Sequence, residues 1–110
     1  MKKNEIDFEA LKKLQLKVMQ DVSTSAIIPL MRIGDQLGIF KKLSELGEVS
    51  SDDLSKSTGL DERYLREWLY AVSAAGFACY NVENKLFSLT PEQIAVFADD
   101  DGPASMMGAY

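Results

Sequence analysis

Between Ser50 and Gly76 the chain carries start and stop signals so closely spaced that only two short helices joined by a tight turn fit between them. Ser50-Ser51-Asp52-Asp53 sets a hydroxyl cap three residues ahead of an acid, a capping-box-like start in which Asp replaces the usual Glu or Gln. The helix it opens runs only to Thr58, because Gly59 supplies a tight turn. Asp61 can cap the next helix, in which Leu65, Trp68, Leu69 and Val72 form a buried stripe before Gly76 stops it. Ser55 is small where bulk would crowd the second helix, and Leu54 and Leu60 add apolar contacts on either side of the turn. The grammar predicts a helix-turn-helix.

Downstream of Gly76 the residues predict a wing. Phe77-Ala78-Cys79-Tyr80 and Leu86-Phe87-Ser88-Leu89 are β-suited runs, and Asn81 to Lys85 between them reads as a five-residue hairpin loop. Thr90-Pro91-Glu92-Gln93 then combines a hydroxyl cap, a proline at the first helical position and a glutamine at the third, so a further helix bearing Ile94, Val96 and Phe97 begins there. The fold class expected is mainly α with a small β-hairpin: a winged helix-turn-helix preceded by an N-terminal dimerisation helix.

That N-terminal helix is read from Phe8, Leu11, Leu14, Val18 and Val22, which recur every three or four residues along one face between Glu5 and Val22. Val22-Ser23-Thr24-Ser25 has weak helix formers and Pro29 comes soon after, which predicts a break or a kinked restart. A second helix then reaches about Leu37, with Ile27, Leu30, Met31 and Leu37 on its inner face, and Gly38 ends it in a left-handed turn. After Ile39 and Phe40, a short amphipathic turn from Lys41 to Leu46 closes at Gly47. The division expected is 1–23 for the dimerisation helix, 24–98 for the winged-helix domain, and 99–110, opening on Asp99-Asp100-Asp101-Gly102-Pro103, for a linker into a further domain.

Composition narrows the chemistry. With 46% apolar and 26% charged residues the 110-residue chain has the material for one ordinary core. It has no histidine and one cysteine, Cys79, so it builds neither an internal disulfide, nor a Cys/His zinc site, nor an imidazole-dependent nucleophile. Neither a phosphate-binding loop nor a dinucleotide fingerprint is present. No apolar run approaches the about 18 residues that cross a bilayer, and the start is charged rather than signal-like, which makes the cytoplasm the expected location.

A winged helix raises DNA binding, and affinity for DNA rests on neutralising phosphates. Residues 48–101 hold four bases, Lys56, Arg63, Arg66 and Lys85, against eleven acids, a net of −7. The helix that would enter the major groove begins Asp61-Glu62-Arg63, and Arg66 stands at pairing distance from Glu62 along it. The charge argues against a nucleic-acid partner; a DNA-binding transcriptional regulator is the alternative reading, and a stand-alone interaction module a third. Cys79 reads as a small core residue, Trp68 as core and the acidic run as solvated linker, while Met106 and Met107 suit either an apolar pocket or packing under a following domain.

At Ile33-Gly34-Asp35-Gln36-Leu37-Gly38-Ile39-Phe40 and at Thr58-Gly59-Leu60-Asp61-Glu62-Arg63-Tyr64-Leu65-Arg66-Glu67-Trp68-Leu69 the chain resembles the N-terminal winged-helix domain of bacterial S-adenosylmethionine-dependent methyltransferases. The likeness continues through Ala75-Gly76, the hairpin and Leu89-Thr90-Pro91-Glu92, over roughly residues 24–110. The resemblance implies a domain that dimerises and helps cover a substrate pocket, while a following Rossmann-like domain binds the methyl donor. It transfers no catalytic, cofactor-binding or metal-binding residue onto this chain. S-adenosylmethionine and a small-molecule substrate are implied for the parent protein only. The homodimer contact is expected at Phe8, Leu11, Leu14 and Val18, joined by Ile27, Leu30 and Met31.

Overall fold

The computed structural model describes residues 5–106, the side chain of Ser23 excepted. The first residues of the expected dimerisation helix and the end of the expected linker, Met107 included, lie outside them. The elements are α1 (Phe8–Gln36), α2 (Ile39–Leu46), α3 (Ser51–Thr58), α4 (Glu62–Ala74), β1 (Cys79–Asn81), β2 (Leu86–Ser88) and α5 (Pro91–Phe97). This is the expected winged helix-turn-helix, mainly α with one hairpin.

The chief departure lies in α1. No break occurs near Ser23, and Pro29 sits inside one helix of 29 residues that also runs across the domain boundary expected at 23/24. Proline removes the amide that would bond to the carbonyl four residues back, here that of Ser25. Ser25 lies on an exposed stretch where water can satisfy that carbonyl, and its own Oγ donates to the carbonyl of Asp21 at 2.9 Å, so the turn stays helical. Asp7 caps the start, accepting from the amides of Glu9 and Ala10 at 3.0 and 3.3 Å. Beyond Pro29 the helix is anchored by burial of Met31, and before it by Ile27.

The core gathers Ile27 and Met31 of α1, Ile39, Phe40 and Leu43 of α2, Leu54 of α3, Leu65, Trp68, Leu69 and Val72 of α4, and Val49, Ala78 and Phe87 around the wing. Lys41 to Leu46, expected as a turn, thus forms a full helix with Ile39 and Phe40 at its start. In the helix-turn-helix, Ser50 Oγ accepts from the Asp53 amide at 3.1 Å, Asp61 Oδ1 from that of Tyr64 at 3.2 Å, and Gly59 turns between them at φ 75°. Ser55 does more than stay small: its Oγ donates to the Leu60 carbonyl at 2.6 Å and holds the turn closed.

The wing is shorter and better braced than expected. Phe77 follows the cap of α4, its amide donating to the carbonyl of Val72 while that of Gly76 donates to the carbonyl of Ser73, a Schellman pair that delays the first strand to Cys79. Asn81 joins β1, pairing with Leu86, which leaves a four-residue loop folded over the Asn81 side chain. A third segment, unread in the sequence, joins through Val49, which exchanges both backbone hydrogen bonds with Phe87 at 2.9 and 2.8 Å. The Thr90–Gln93 capping box forms in both directions. Gln93 also donates through Nε2 to the Gly76 carbonyl at 3.1 Å, tying α5 to the end of α4.

Candidate interaction surfaces

Two surfaces could meet a partner, and each results from which residues the core leaves outside. The first is the face a DNA reader would use: the start of α4, with α3 and the wing around it. Its cations are matched locally. Arg63 Nε lies 3.7 Å from Glu67 and Arg66 Nε 3.7 Å from Glu62, as the spacing predicts for the second pair. Glu62 is fixed further by Ser51 Oγ, which donates to its Oε2 at 2.6 Å. The recognition end therefore presents the capping Asp61 and an immobilised carboxylate where phosphates would lie.

The second surface is built on α1. Every described side chain from Phe8 to Ala26 is exposed, so the first half of the helix projects from the folded body, consistent with overall extents of 62 × 33 × 22 Å. Phe8 is 71% exposed, Leu14 58% and Val22 63%, and Leu11 and Val18 lie open beside them. Apolar residues at such exposure along one helix face form the kind of patch that marks an interface.

The structure divides the expected dimer residues. Phe8, Leu11, Leu14 and Val18 are available to a partner, whereas Ile27 and Met31 are spent inside the chain's own core, at 9% and 2% exposure. Leu30 stands between the two groups, packed against the core yet lining a groove on its outer side. Leu37, read as an inner residue, points outward, and Ile33 is exposed with it. Splitting α1 at Ser23 hid this. On one continuous helix at roughly 100° per residue, Phe8, Leu11, Leu14, Val18, Val22, Ile33 and Leu37 share a single outer face, about opposite to Met31.

The groove runs between the second half of α1 and α4 and encloses about 590 Å³. Its apolar lining comes from Leu30, Ile33, Leu37, Ile39, Leu60, Leu65 and Trp68, with Tyr64 beside them, and its two charged residues are Asp61 and Glu67. Neither carboxylate is idle: Asp61 caps α4 and Glu67 faces Arg63.

The remaining residues fall into place in the scaffold. Trp68 is buried and donates from Nε1 to the Leu30 carbonyl at 2.7 Å. Cys79 is half-buried with Sγ 3.5 Å from Gln93 Oε1. Asp100 pairs with Lys41, which holds the Lys41 ammonium above its ordinary range through that hydrogen bond. Met106 is exposed, its amide donating to the Val96 carbonyl at 3.0 Å. Among the described residues no helix is long and apolar enough to cross a membrane.

Comparison with known proteins starts from the family level: the Rv2258c-like winged HTH domain matches residues 24–98. A comparison with curated proteins gives no match. Among solved structures, the mitomycin 7-O-methyltransferase MmcR is similar with a TM-score of 0.73 at 19% identity, over 84% of this chain and 27% of that one. An O-methyltransferase family 2 protein from Planctomyces limnophilus DSM 3776, solved in complex with apigenin, gives 0.70 at 19% identity over 84% and 27%. The N,N-8-amino-8-demethyl-D-riboflavin dimethyltransferase RosA from Streptomyces davawensis gives 0.61 at 25% identity over 91% and 27%. The chain thus spans about a quarter of the length of each of these methyltransferases, and the likeness to the first two is one of fold. With the family model covering the helix-turn-helix, the wing and α5, the chain belongs to the Rv2258c-like winged helix-turn-helix family.

Proposed function

We propose that this chain is the dimerisation and substrate-lid domain of a cytoplasmic S-adenosylmethionine-dependent methyltransferase acting on a small molecule, and that it works as a homodimer. The observation that carries the proposal is the projecting half of α1. A helix exposed on all sides, with an apolar stripe along one of them, is marginal alone in water and gains its stability from a partner surface. The family match and the methyltransferases of like fold supply the class of parent.

Methyl transfer needs a nucleophile held in line with the donor methyl group in a pocket from which water is excluded. A rigid helical domain contributes by walling and closing such a pocket. The residues of this chain do not fit the methyl donor itself: the groove is apolar, its two carboxylates are engaged in a cap and an ion pair, and no glycine-rich loop is present. In this reading the donor, and the groups that move protons, belong to a separate domain of the parent.

Two experiments test the proposal. Sedimentation at tens of micromolar should give a dimer, and Leu14→Asp should dissociate it without loss of helical signal from the winged-helix body; a wild-type monomer would overturn the reading. The reading frame that contains this chain should show a strand followed by a glycine-rich turn beyond Tyr110, and its full product should bind S-adenosylmethionine. A frame without such a segment would reject the methyltransferase assignment.

A further inference from the structure

We propose that residues 99–106 are a strap latched on Lys41, a folded joint that fixes where the chain leaves the body and swings free when the latch is removed. What the joint carries, a following catalytic domain, rests on the reading above; the strap itself rests on contacts within this chain.

The sequence sets a conflict at this point. α5 has seven residues, too few for a helix to hold alone in water, and its last turn contains no basic residue. Asp99, Asp100 and Asp101 follow directly, which places three carboxylates at the end of the helix dipole that favours cations. They repel one another and the last carbonyls, so the run by itself would fray α5 and extend into solvent. A local rule broken in this way calls for a distant partner.

That partner comes from α2. Phe97 stacks on Phe40 with ring centroids 5.1 Å apart, and the next residue of α2, Lys41, pairs with Asp100, while Asp35 and Asp101 act on the same ammonium. Around this pair the segment doubles back. The Gly102 amide donates to the Asp99 carbonyl and the Ser105 amide to the Gly102 carbonyl, both at 3.3 Å, giving two turns in succession. A Cβ on Gly102 would meet Asp99 Oδ2 at 2.5 Å, so the first turn closes on a position kept bare. The Met106 amide then donates to the Val96 carbonyl at 3.0 Å. That carbonyl belongs to the last turn of α5, where the helix has no donor of its own to offer. The strap thus caps the helix it follows, and Met106 lies back beside Val96 rather than beyond Phe97.

One pair therefore decides between two states. Lys41 and Asp100 are each about half exposed, and an ion pair of that kind contributes little alone. Here its loss also leaves the other carboxylates unopposed at the helix end. With the latch closed, the chain departs at a fixed angle from α5. With it open, Met106 leaves Val96 and the exit becomes a loose tether, on which a pocket wall has no set orientation.

Backbone relaxation and amide exchange by NMR read the strap directly in this chain. Wild-type residues 99–106 should show order parameters near the ~0.85 of rigid backbone, and Lys41→Gln should lower them below about 0.6. The same variant should speed exchange of the Met106 amide at least about tenfold, as local opening would, and leave the buried Leu69 amide unchanged. Asp100→Asn should loosen the strap less, because it removes a repelling charge together with the partner, and it carries the test should Lys41→Gln disturb Leu69. The double variant should be no looser than Lys41→Gln. A wild-type strap already below about 0.6, a Met106 amide that neither variant changes, or additive loosening in the double variant overturns the latch while leaving the lid reading standing.

Discussion

The indole of Trp68 occupies the space that any side chain on Gly34 would need. A Cβ built on Gly34 meets Trp68 Cζ2 at 2.3 Å and Phe40 Cε2 at 2.9 Å, so α1 and α4 approach each other as closely as they do only because this position is bare. The same ring donates to the Leu30 carbonyl one turn earlier and packs edge-on against Phe40 with centroids 5.2 Å apart. Trp68 is thereby the wedge that sets how α1 leaves the body, and with it the direction in which the apolar face projects.

Gly34→Ala should destabilise the domain. In an open helix the change would gain up to about 1 kcal/mol of helix propensity. Here that gain is opposed by overpacking against a buried ring already held by a hydrogen bond and an aromatic contact, which typically costs about 1–3 kcal/mol. A net loss of about 1–2 kcal/mol is expected in urea unfolding. An alanine variant as stable as the wild type would show that the indole can shift, and that α1 is not fixed by it.

Gln93 should matter more than its partner in the cap. Thr90→Ala removes one capping interaction, at a cost of about 1 kcal/mol. Gln93→Ala removes the reciprocal half of the box, from the Thr90 amide to Oε1 at 2.8 Å, and with it the bond from Nε2 to the Gly76 carbonyl. At about 1 kcal/mol for each lost bond, the expected loss is about 2 kcal/mol. Equal losses for the two variants in chemical denaturation would mean that the link from α5 to α4 contributes nothing.

Much of this scaffold is legible from sequence because its signals are local. Ser50, Gly59, Asp61, Gly76 and Thr90 each mark a boundary through a bond to a residue within a few positions, and α3, α4 and α5 begin and end accordingly. What escapes a local reading is decided by distant partners. Pro29 does not break α1, because burial of Ile27 and Met31 against other helices holds both sides of it helical. The isolated bridge at Val49 depends on Phe87, nearly forty residues on. The candidate interface suffers in the same way: a stripe cut at Ser23 assigns Ile27 and Met31 to a partner, whereas one helix carried through shows Val22, Ile33 and Leu37 on the outer face instead.

The tie between α2 and the acidic segment should be sensitive to alkali and not to mild acid. Lys41 is raised by its hydrogen bond to Asp100, aided by the nearby Asp35 and Asp101 carboxylates and opposed by partial desolvation. Tyr80 is raised by its hydrogen bond with Tyr70 and by desolvation. For both groups the folded state holds the proton more tightly than the unfolded one. Their contributions are thus complete below an ordinary lysine or tyrosine pKa of about 10, and are lost as pH rises through the folded values. A titration of Lys41 Cε by NMR should fall back to the ordinary range in Asp100→Asn, while Tyr80 is unmoved. Because Lys41 lies at the surface, salt should diminish the shift. An unchanged Lys41 titration in Asp100→Asn would refute the pairing.

The charge at the start of α4 leads to a prediction that separates this domain from winged helices that read DNA. Phosphate neutralisation supplies most of the affinity, and each neutralised phosphate adds about −0.9 to the slope of log K against log salt. Here Arg63 and Arg66 face Glu67 and Glu62, Glu62 is fastened by Ser51, and the region carries a net −7. Wild-type protein at tens of micromolar should give no anisotropy change with a labelled duplex at 50 mM salt. Reversing the restraining acids, in Glu62→Lys/Glu67→Lys, frees both arginines and changes the local charge by four units. That variant should bind duplex without sequence preference and lose the affinity steeply as salt is raised to 200 mM. The region is then still net −3, so the variant's failure to bind would show that freeing the two arginines does not overcome the remaining acids. Wild-type binding with a slope of about −3 or steeper would return the domain to the DNA readers, because so much counterion release demands a cationic surface that the pairing of Arg63 and Arg66 does not leave.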